Sequence, residues 1–296
     1  MKLTESLRYT NSRGESITLA NTLASEVWWA TASGLDELSN NVSTFAGIGQ
    51  HGETVTSMQL PGRPIDIMGK IRANEDYWRS RIVRVFNPTL AGNLVYTDSA
   101  RGISRYIEVR ITETPDVEDK PFPRFAVEFY APYPLWLDGT GSQRVTDIAT
   151  WLPGICFPIE GIEIPETGYE MGTRSPSLIV NVSNKGDVES GIRFVFKAQG
   201  SVSTPQIVNV ETQEHLKVNV DMIAGDVLTV TTGYGNMRAR LVRNNVETNV
   251  FNTVTDDSTW LQLHVGDNLL RYAAADGEDN LNVSIYYDYA YMGARR

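Results

Sequence analysis

Apolar and polar positions alternate with a period of two along much of this chain, and that rhythm predicts β-strands. In RYIEVRI (105–111), Ile107, Val109 and Ile111 fall on one face and Tyr106, Glu108 and Arg110 on the other. In RFAVEFY (124–130), Phe125, Val127 and Phe129 share a face. The same alternation predicts strands in SLIVNVS (177–183), IRFVFKA (192–198), QIVNVE (206–211), HLKVNV (215–220), DVLTVTT (226–232) and LNVSIYY (281–287). The joints NKGD, AQGS, IAGD and VGDN separate them at the intervals of an antiparallel sandwich. One segment follows the helical period instead. NEDYWRSRIVRVFNP offers Asn74 as N-cap and Glu75 and Asp76 in the first turn, with Trp78, Ile82, Val85 and Phe86 at i, i+4, i+7 and i+8. Arg79, Arg81 and Arg84 lie toward its C-terminal end, where they complement the helix dipole, and Asn87-Pro88 ends it. The apolar stripe is expected to pack into a core.

At 296 residues the chain is longer than one core usually supports, so two domains are expected. The boundary is placed where APYPLW, stiffened by two prolines, runs into the loose LDGTGSQ. This divides the chain into a first domain, 1–138, and a second, 139–296. No internal repeat is evident.

FAGIGQHGET (45–54) places Gly47, Gly49 and Gly52 in the G-x-G-x-x-G spacing of a dinucleotide-binding turn. That chemistry needs a buried strand before the glycines and a helix after them. NNVSTF is too polar for such a strand, and ETVTSMQLPGRPIDIMG, with its β-branched residues, Pro61 and Pro64, is unsuited to a helix. The glycines are expected at the tip of a long hairpin, with 42–46 going out and 53–60 returning, too polar to bury and able to reach another subunit.

Charge narrows the classes of partner. A formal net charge of −10 argues against a protein built to neutralise phosphates, so no nucleic acid is expected. The charge is uneven: residues 63–110 carry nine Lys/Arg against five Asp/Glu, whereas 256–289 carry seven Asp/Glu against Arg271 alone. Such asymmetry suits a protein meeting different partners, or copies of itself, with its two ends. No apolar run of about 18 residues exists, and Glu5 and Arg8 interrupt any apolar N-terminal stretch, so a soluble chain with neither membrane span nor signal peptide is expected.

Catalytic signatures are weak. His51, His215 and His264 are scattered, without H-E-x-x-H spacing, and no G-x-S-x-G elbow occurs, so neither metal nor cofactor nor enzymatic activity is expected. The single Cys156, in GICFP, is expected as a buried small hydrophobe. Asp276, Glu278 and Asn280 alternate as in a calcium loop, but Leu281 stands where that turn requires glycine, and a solvated hairpin loop is expected.

Several stretches in order resemble the distal tail proteins of long-tailed phages and prophages of Gram-positive bacteria. In the N-terminal half they are YTNSRGESITL (9–19), GLD (34–36), the glycine tip, LPGRPIDIMGKI (60–71) and RVFNPTLAGNLVYTD (84–98). In the C-terminal half they are the run 177–232 from SLIVNVS to DVLTVTT, STWLQLHVGDNLLRY (258–272) and LNVSIYY (281–287).

The resemblance implies a mainly β protein. Its N-terminal domain is β-sandwich-like, with one α-helix and a long protruding hairpin, and its C-terminal domain is a galectin-like antiparallel β-sandwich. It further implies a homo-hexameric ring in the virion, at the end of the tail, made in the bacterial host cytoplasm. The ring joins the tail tube protein to a tip or baseplate that carries receptor-binding proteins. The hairpin corresponds in order to the family's ring-forming belt, a role carried to Phe45, Gly47, Gly49, Gly52 and Val55. The galectin-like label also raises sugar recognition, for which Trp260 near His264 offers a fragment of a platform. Against it, HLKVN (215–219) has Lys217 where the H-x-N-x-R strand of galectins has asparagine.

Overall fold

The computed structural model describes residues 4–22, 24–139, 143–148, 151–153, 172–174 and 178–295. Cys156 lies outside the described residues. The chain forms two compact units, one of residues 1–142 together with 290–296, the other of residues 143–289.

The first unit is built on one antiparallel sheet. Its strands are β1 (Glu5–Asn11), β2 (Ser16–Ala20), β3 (Val27–Ser33), β6 (Arg63–Ile71), β7 (Ala91–Asp98), β8 (Ile103–Ile111) and β9 (Arg124–Ala131), and the order is β2-β1-β7-β8-β9-β6-β3. Two further strands, β4 (Asn41–Phe45) and β5 (Thr54–Gln59), stand apart as a hairpin. The sheet curls so that its ends, β2 and β3, come back into contact, and a single sheet supplies what two layers supply in a sandwich. Alternation drives this: β6 buries Arg63, Ile65, Ile67, Gly69 and Ile71 and exposes the residues between them except the half-buried Lys70. Gly69 is required there, because a Cβ at that position would stand 2.2 Å from the Phe125 ring of β9.

The helix α1 (Glu75–Val85) covers this core, burying Ile82 and Val85, with Phe86 following. Phe86 joins Tyr9, Phe125 and Phe129 in an aromatic cluster with ring centroids 5.2–6.2 Å apart. The helix start differs from the expected cap. Asn74 has φ 53° and makes no side-chain capping bond, because its amide is drawn to Glu26 Oε1 at 2.6 Å. Glu26 also takes the Trp78 indole N–H at 2.6 Å, so one carboxylate anchors the first turn from outside the helix. At the other end the buried Asn11 donates Nδ2 to the Val85 carbonyl (3.2 Å), satisfying one of the orphan acceptors of the last turn. The Asn11 side-chain oxygen Oδ1 meanwhile accepts the N–H groups of Arg13 and Glu15, both at 3.0 Å.

The end of the chain returns to the first unit, where the sequence had been divided at 139 with everything beyond it in the second domain. Ala290–Tyr291 pairs with β10 (Trp136–Asp138), which in turn pairs with β8. The strand is too short for periodicity to place it. Tyr106, on the face of β8 opposite Ile107 and Val109, is buried where β10 pairs alongside β8 with Leu137 opposite it, and the neighbouring Arg105, on the other face, lies buried with its guanidinium 3.6 Å from the Tyr291 ring.

The second unit holds two larger antiparallel sheets. One runs Arg144–Ile148, Leu281–Tyr287, Ser190–Ala198, Val227–Thr231, Arg238–Arg243, Val246–Asn249. The other runs Ile179–Asn184, Gly266–Ala273, Gln206–Asn209, His215–Lys217. Each buries alternate residues: Phe194, Phe196, Leu228, Val230, Val283 and Ile285 from the first, Val182, Ile207, Leu216, Leu270 and Tyr272 from the second. The acidic stretch 276–280 is not a hairpin loop as expected. It connects strands of different sheets, with Gly277 at φ 74° pressed so close to Ser201 that a Cβ would lie 2.0 Å from its carbonyl oxygen.

Candidate functional site

Thr44 and Phe45 of β4 pair with Val55 and Thr54 of β5, and Val42 sits directly opposite Met58, with an irregularity in register after Ser43. The tip is a turn built by glycine and glutamine. Gly49 and Gly52 have φ of 78° and 82°, conformations that cost other residues strain. Gln50 donates its N–H to the Gly47 carbonyl (3.1 Å), accepts the Gly47 N–H at 3.0 Å and donates Nε2 to Thr54 Oγ1 at 2.8 Å. After Gly52 the chain is strand, so the nucleotide-binding geometry is absent from this segment.

Among the described residues the two strands pair only with each other, and 41–46 and 48–60 are all exposed. This is costly in water for apolar side chains, and the hairpin carries six: Val42, Phe45, Ile48, Val55, Met58 and Leu60, with Met58 69% exposed and Ile48 wholly so. Phe45 and Val55 were marked from the sequence. Ile48 at the tip and Met58 opposite Val42 were missed, although apolar residues recurring through a segment otherwise too polar to bury were a legible signal. An isolated two-stranded hairpin is marginal alone in water, so its stability depends on what covers it.

Trp260 and His264 have separate partners. The Trp260 ring stacks on Phe251 at 5.3 Å with planes 16° apart. His264 Nδ1 lies 3.6 Å from Glu189 Oε2, and the other oxygen of that carboxylate takes the Tyr234 hydroxyl at 3.4 Å. Glu189 raises the pKa of Tyr234 by disfavouring a second negative charge beside it. Among the described residues no hydrogen bond or ring contact links Trp260 to His264. Lys217 is engaged with Asp257 Oδ2 at 3.4 Å, as is His215 Nε2 at 3.2 Å. The Asp257 carboxyl is held far below the usual carboxylate range, first by the Thr255 hydroxyl and then by His215 and Lys217. Among the described residues no group of three or more His, Cys, Asp or Glu is placed to hold a metal ion, and no helix is long and apolar enough to cross a membrane.

This architecture is similar to that of phage tail components. Residues 185–291 match the family model of the siphovirus-type tail component, C-terminal domain. Over the whole chain the fold is similar to that of SPP1 Dit (gp 19.1), described as a paradigm of the hub adsorption apparatus in phages infecting Gram-positive bacteria. The two are 15% identical with a TM-score of 0.64, over 96% of this chain and 98% of that one. A chain of the phage P2 baseplate in its activated conformation with calcium aligns over 96% of this chain and 97% of its own at 11% identity and a TM-score of 0.49. No curated relative matches by sequence. The resemblance to phage distal tail proteins drawn from the ordered stretches of sequence is therefore met by a family model over most of the second unit and by fold over nearly the full length.

Proposed function

We propose that this protein is a structural hub of a phage tail tip. Six copies close a ring through their N-terminal units, the C-terminal units project outward, and the ring joins the tail tube protein to the tip and its receptor-binding proteins. The ring resides in the virion after synthesis in the host cytoplasm, and its chemistry is burial of surface rather than turnover of a substrate. The observation that carries this reading is the fold similarity across 96% of the chain to a protein described as a paradigm of hub adsorption apparatus.

The exposed hairpin supports the same reading. A head-to-tail ring exposes on each subunit one surface and its complement, and six exposed apolar side chains on a self-paired hairpin suit an arm laid against a neighbour. In this role Phe45 and Val55 supply contact, and Gly47, Gly49 and Gly52 shape the tip. A durable ring requires more than ~1,000 Å² buried per interface. The galectin-like description of the second unit belongs to this proposal too, as an outward module that docks other tail-tip proteins.

Native mass measurement and negative-stain imaging at micromolar concentration test the assembly. Rings or ring stacks are expected. A chain that stays monomeric both alone and with its tube and tip proteins overturns it. Removal of residues 46–52 is expected to abolish rings and leave folded subunits, and rings that survive the deletion refute the role of the hairpin.

A further inference from the structure

The outer face of the larger sheet in the second unit gathers three guanidinium groups. Strand pairing sets Arg193 opposite Thr231, Thr231 opposite Arg238, and Thr229 opposite Arg240, so all five side chains lie on one face of three adjacent strands. It is the face away from the core, since the residues between them, Phe194, Leu228, Val230 and Ala239, are buried. Together with Asn236 these residues line a pocket of about 410 Å³, within the range of small-molecule sites. The close approach of Gly191 to Gly233, where a Cβ on Gly191 would stand 2.3 Å from the Gly233 backbone, shapes the backbone of its wall.

The charges in this pocket are unbalanced. The lining holds three arginines and no carboxylate, in a chain with 36 Asp and Glu against 26 Lys and Arg. Arg240 is paired with Glu247 at 2.5 Å. Arg193 and Arg238 have no carboxylate partner among the described residues. Arg193 is instead held over the Tyr286 ring at 4.2 Å, and its buried Nε has no hydrogen-bond acceptor. Cations gathered on adjacent strands repel one another, and an acidic protein has ample carboxylates with which to neutralise them. Two guanidiniums left uncompensated around a concave site, one of them braced on a ring, form an arrangement that an incoming oxyanion completes. Arginine forks take phosphate or carboxylate oxygens in pairs. The Thr229 hydroxyl and the Asn236 amide offer both donors and acceptors for neighbouring hydroxyl groups, and the Thr231 hydroxyl, whose proton goes to the Asn236 main-chain carbonyl at 2.8 Å, offers an acceptor.

We propose that this pocket binds an oxyanion carried on a hydroxyl-bearing body, the chemistry of a phosphorylated or carboxylated sugar. Arg193 and Arg238 take the anionic group, and the threonine and asparagine side chains take the hydroxyls. The proposal stands on the second unit alone and is independent of ring assembly.

Titration of the full chain at low ionic strength with glucose 6-phosphate, glucuronate, glucose and inorganic phosphate, followed by calorimetry or by amide chemical shifts, tests it. Saturable binding is expected for the phosphorylated or the carboxylated sugar, with glucose and inorganic phosphate each at least ~10-fold weaker. The tighter of the two charged sugars identifies the anionic group. Arg238→Gln lies on an exposed side chain and spares the fold; it is expected to weaken binding about 10-fold, as is Arg193→Gln, while Arg13→Gln in the other unit leaves it unchanged. Absence of saturation with either charged sugar, equal binding of glucose, equal binding of inorganic phosphate, or unaltered binding in both pocket variants overturns the proposal.

Discussion

The guanidinium of Arg63 on β6 donates to the main-chain carbonyl of Met292, a residue 229 positions away in the chain. The same side chain donates to the carbonyls of Gly34 (3.1 Å) and Leu35 (2.9 Å), and it is almost wholly buried. A buried cation is tolerable only when its donors are met. Here three carbonyls from two distant segments take the N–H groups of its two terminal nitrogens, although the buried Nε has no acceptor, so the charge acts as a peg holding the tail and the loop after β3 together. Arg105 repeats the device with the Gly293 carbonyl, and Asp36 takes both the N–H of Arg295 (2.9 Å) and its guanidinium (3.2 Å).

Arg63→Ala removes the donor that the Gly34, Leu35 and Met292 carbonyls share, although the Leu35 carbonyl keeps the Trp136 indole N–H (3.0 Å) and the Ala294 N–H (2.9 Å), and loosens the tail, and a loss of about 3 kcal/mol is expected. Chemical denaturation followed through the buried Trp29 and Trp136 of the first unit reads it directly. A variant as stable as the parent rules out the pegging role. Removal of residues 290–296 is expected to destabilise the first unit by a comparable amount.

The core under α1 depends on Phe86, which touches three other aromatic rings. Phe86→Ala is expected to cost about 3–5 kcal/mol, and Phe86→Leu markedly less. A thermal melt of the variants orders them, and equal melting temperatures contradict the packing described.

Acid sensitivity in the second unit is expected to centre on Asp226. Its carboxylate is buried and receives Arg243 Nε and Nη2, the shortest contact being 2.6 Å, together with the Ile223 N–H at 3.0 Å. The hydrogen bonds from Arg243 are the largest cause of its lowered pKa, opposed in part by burial. A carboxyl depressed in the folded state contributes its stability in full above its unfolded pKa of about 3.9 and loses it as the pH falls through the folded value. Arg243→Ala is thus expected to cost about 2 kcal/mol near neutral pH, and the difference from the parent shrinks at pH values below about 4. A cost independent of pH rules out the pairing as its source.

Ile48→Asp combined with Met58→Asp places charge on an exposed hairpin, and stability is expected to change by no more than about 0.5 kcal/mol. Ring formation, followed by size-exclusion chromatography with light scattering, is expected to be lost. Intact rings in the double variant remove the hairpin from the assembly surface.

Much of the fold was legible wherever a strand buries one face and exposes the other. Alternation marks the strands at 105–111 and 124–130 and, in the second unit, Ile179–Asn184, Ser190–Ala198, Gln206–Asn209, His215–Lys217, Val227–Thr231 and Leu281–Tyr287. Arg144–Ile148, Arg238–Arg243, Val246–Asn249 and Gly266–Ala273 escape it. The helix is read from its helical period and the hairpin from its glycines. Strands β1, β2, β3, β6 and β7 were not marked as strands, though residues of all but β3 fall in the stretches that carry the resemblance. β3 is interrupted by an irregular register after Trp29, and β6 carries a proline and a glycine, which disguise its period. The cap at Asn74 failed because Glu26, 48 residues earlier, competes for its side chain.

What the chain determines by itself is local: period-two alternation, a helix stripe, turns where glycine relieves strain, and a hairpin whose apolar residues have no core to enter. The tertiary structure alone decides which distant groups meet. The last residues join the first unit because buried arginines need carbonyls, and three guanidiniums share one pocket because antiparallel register brings adjacent strands side by side. Hydrogen-bond satisfaction and strand register act through space, and neither leaves a period in the sequence that records its partner.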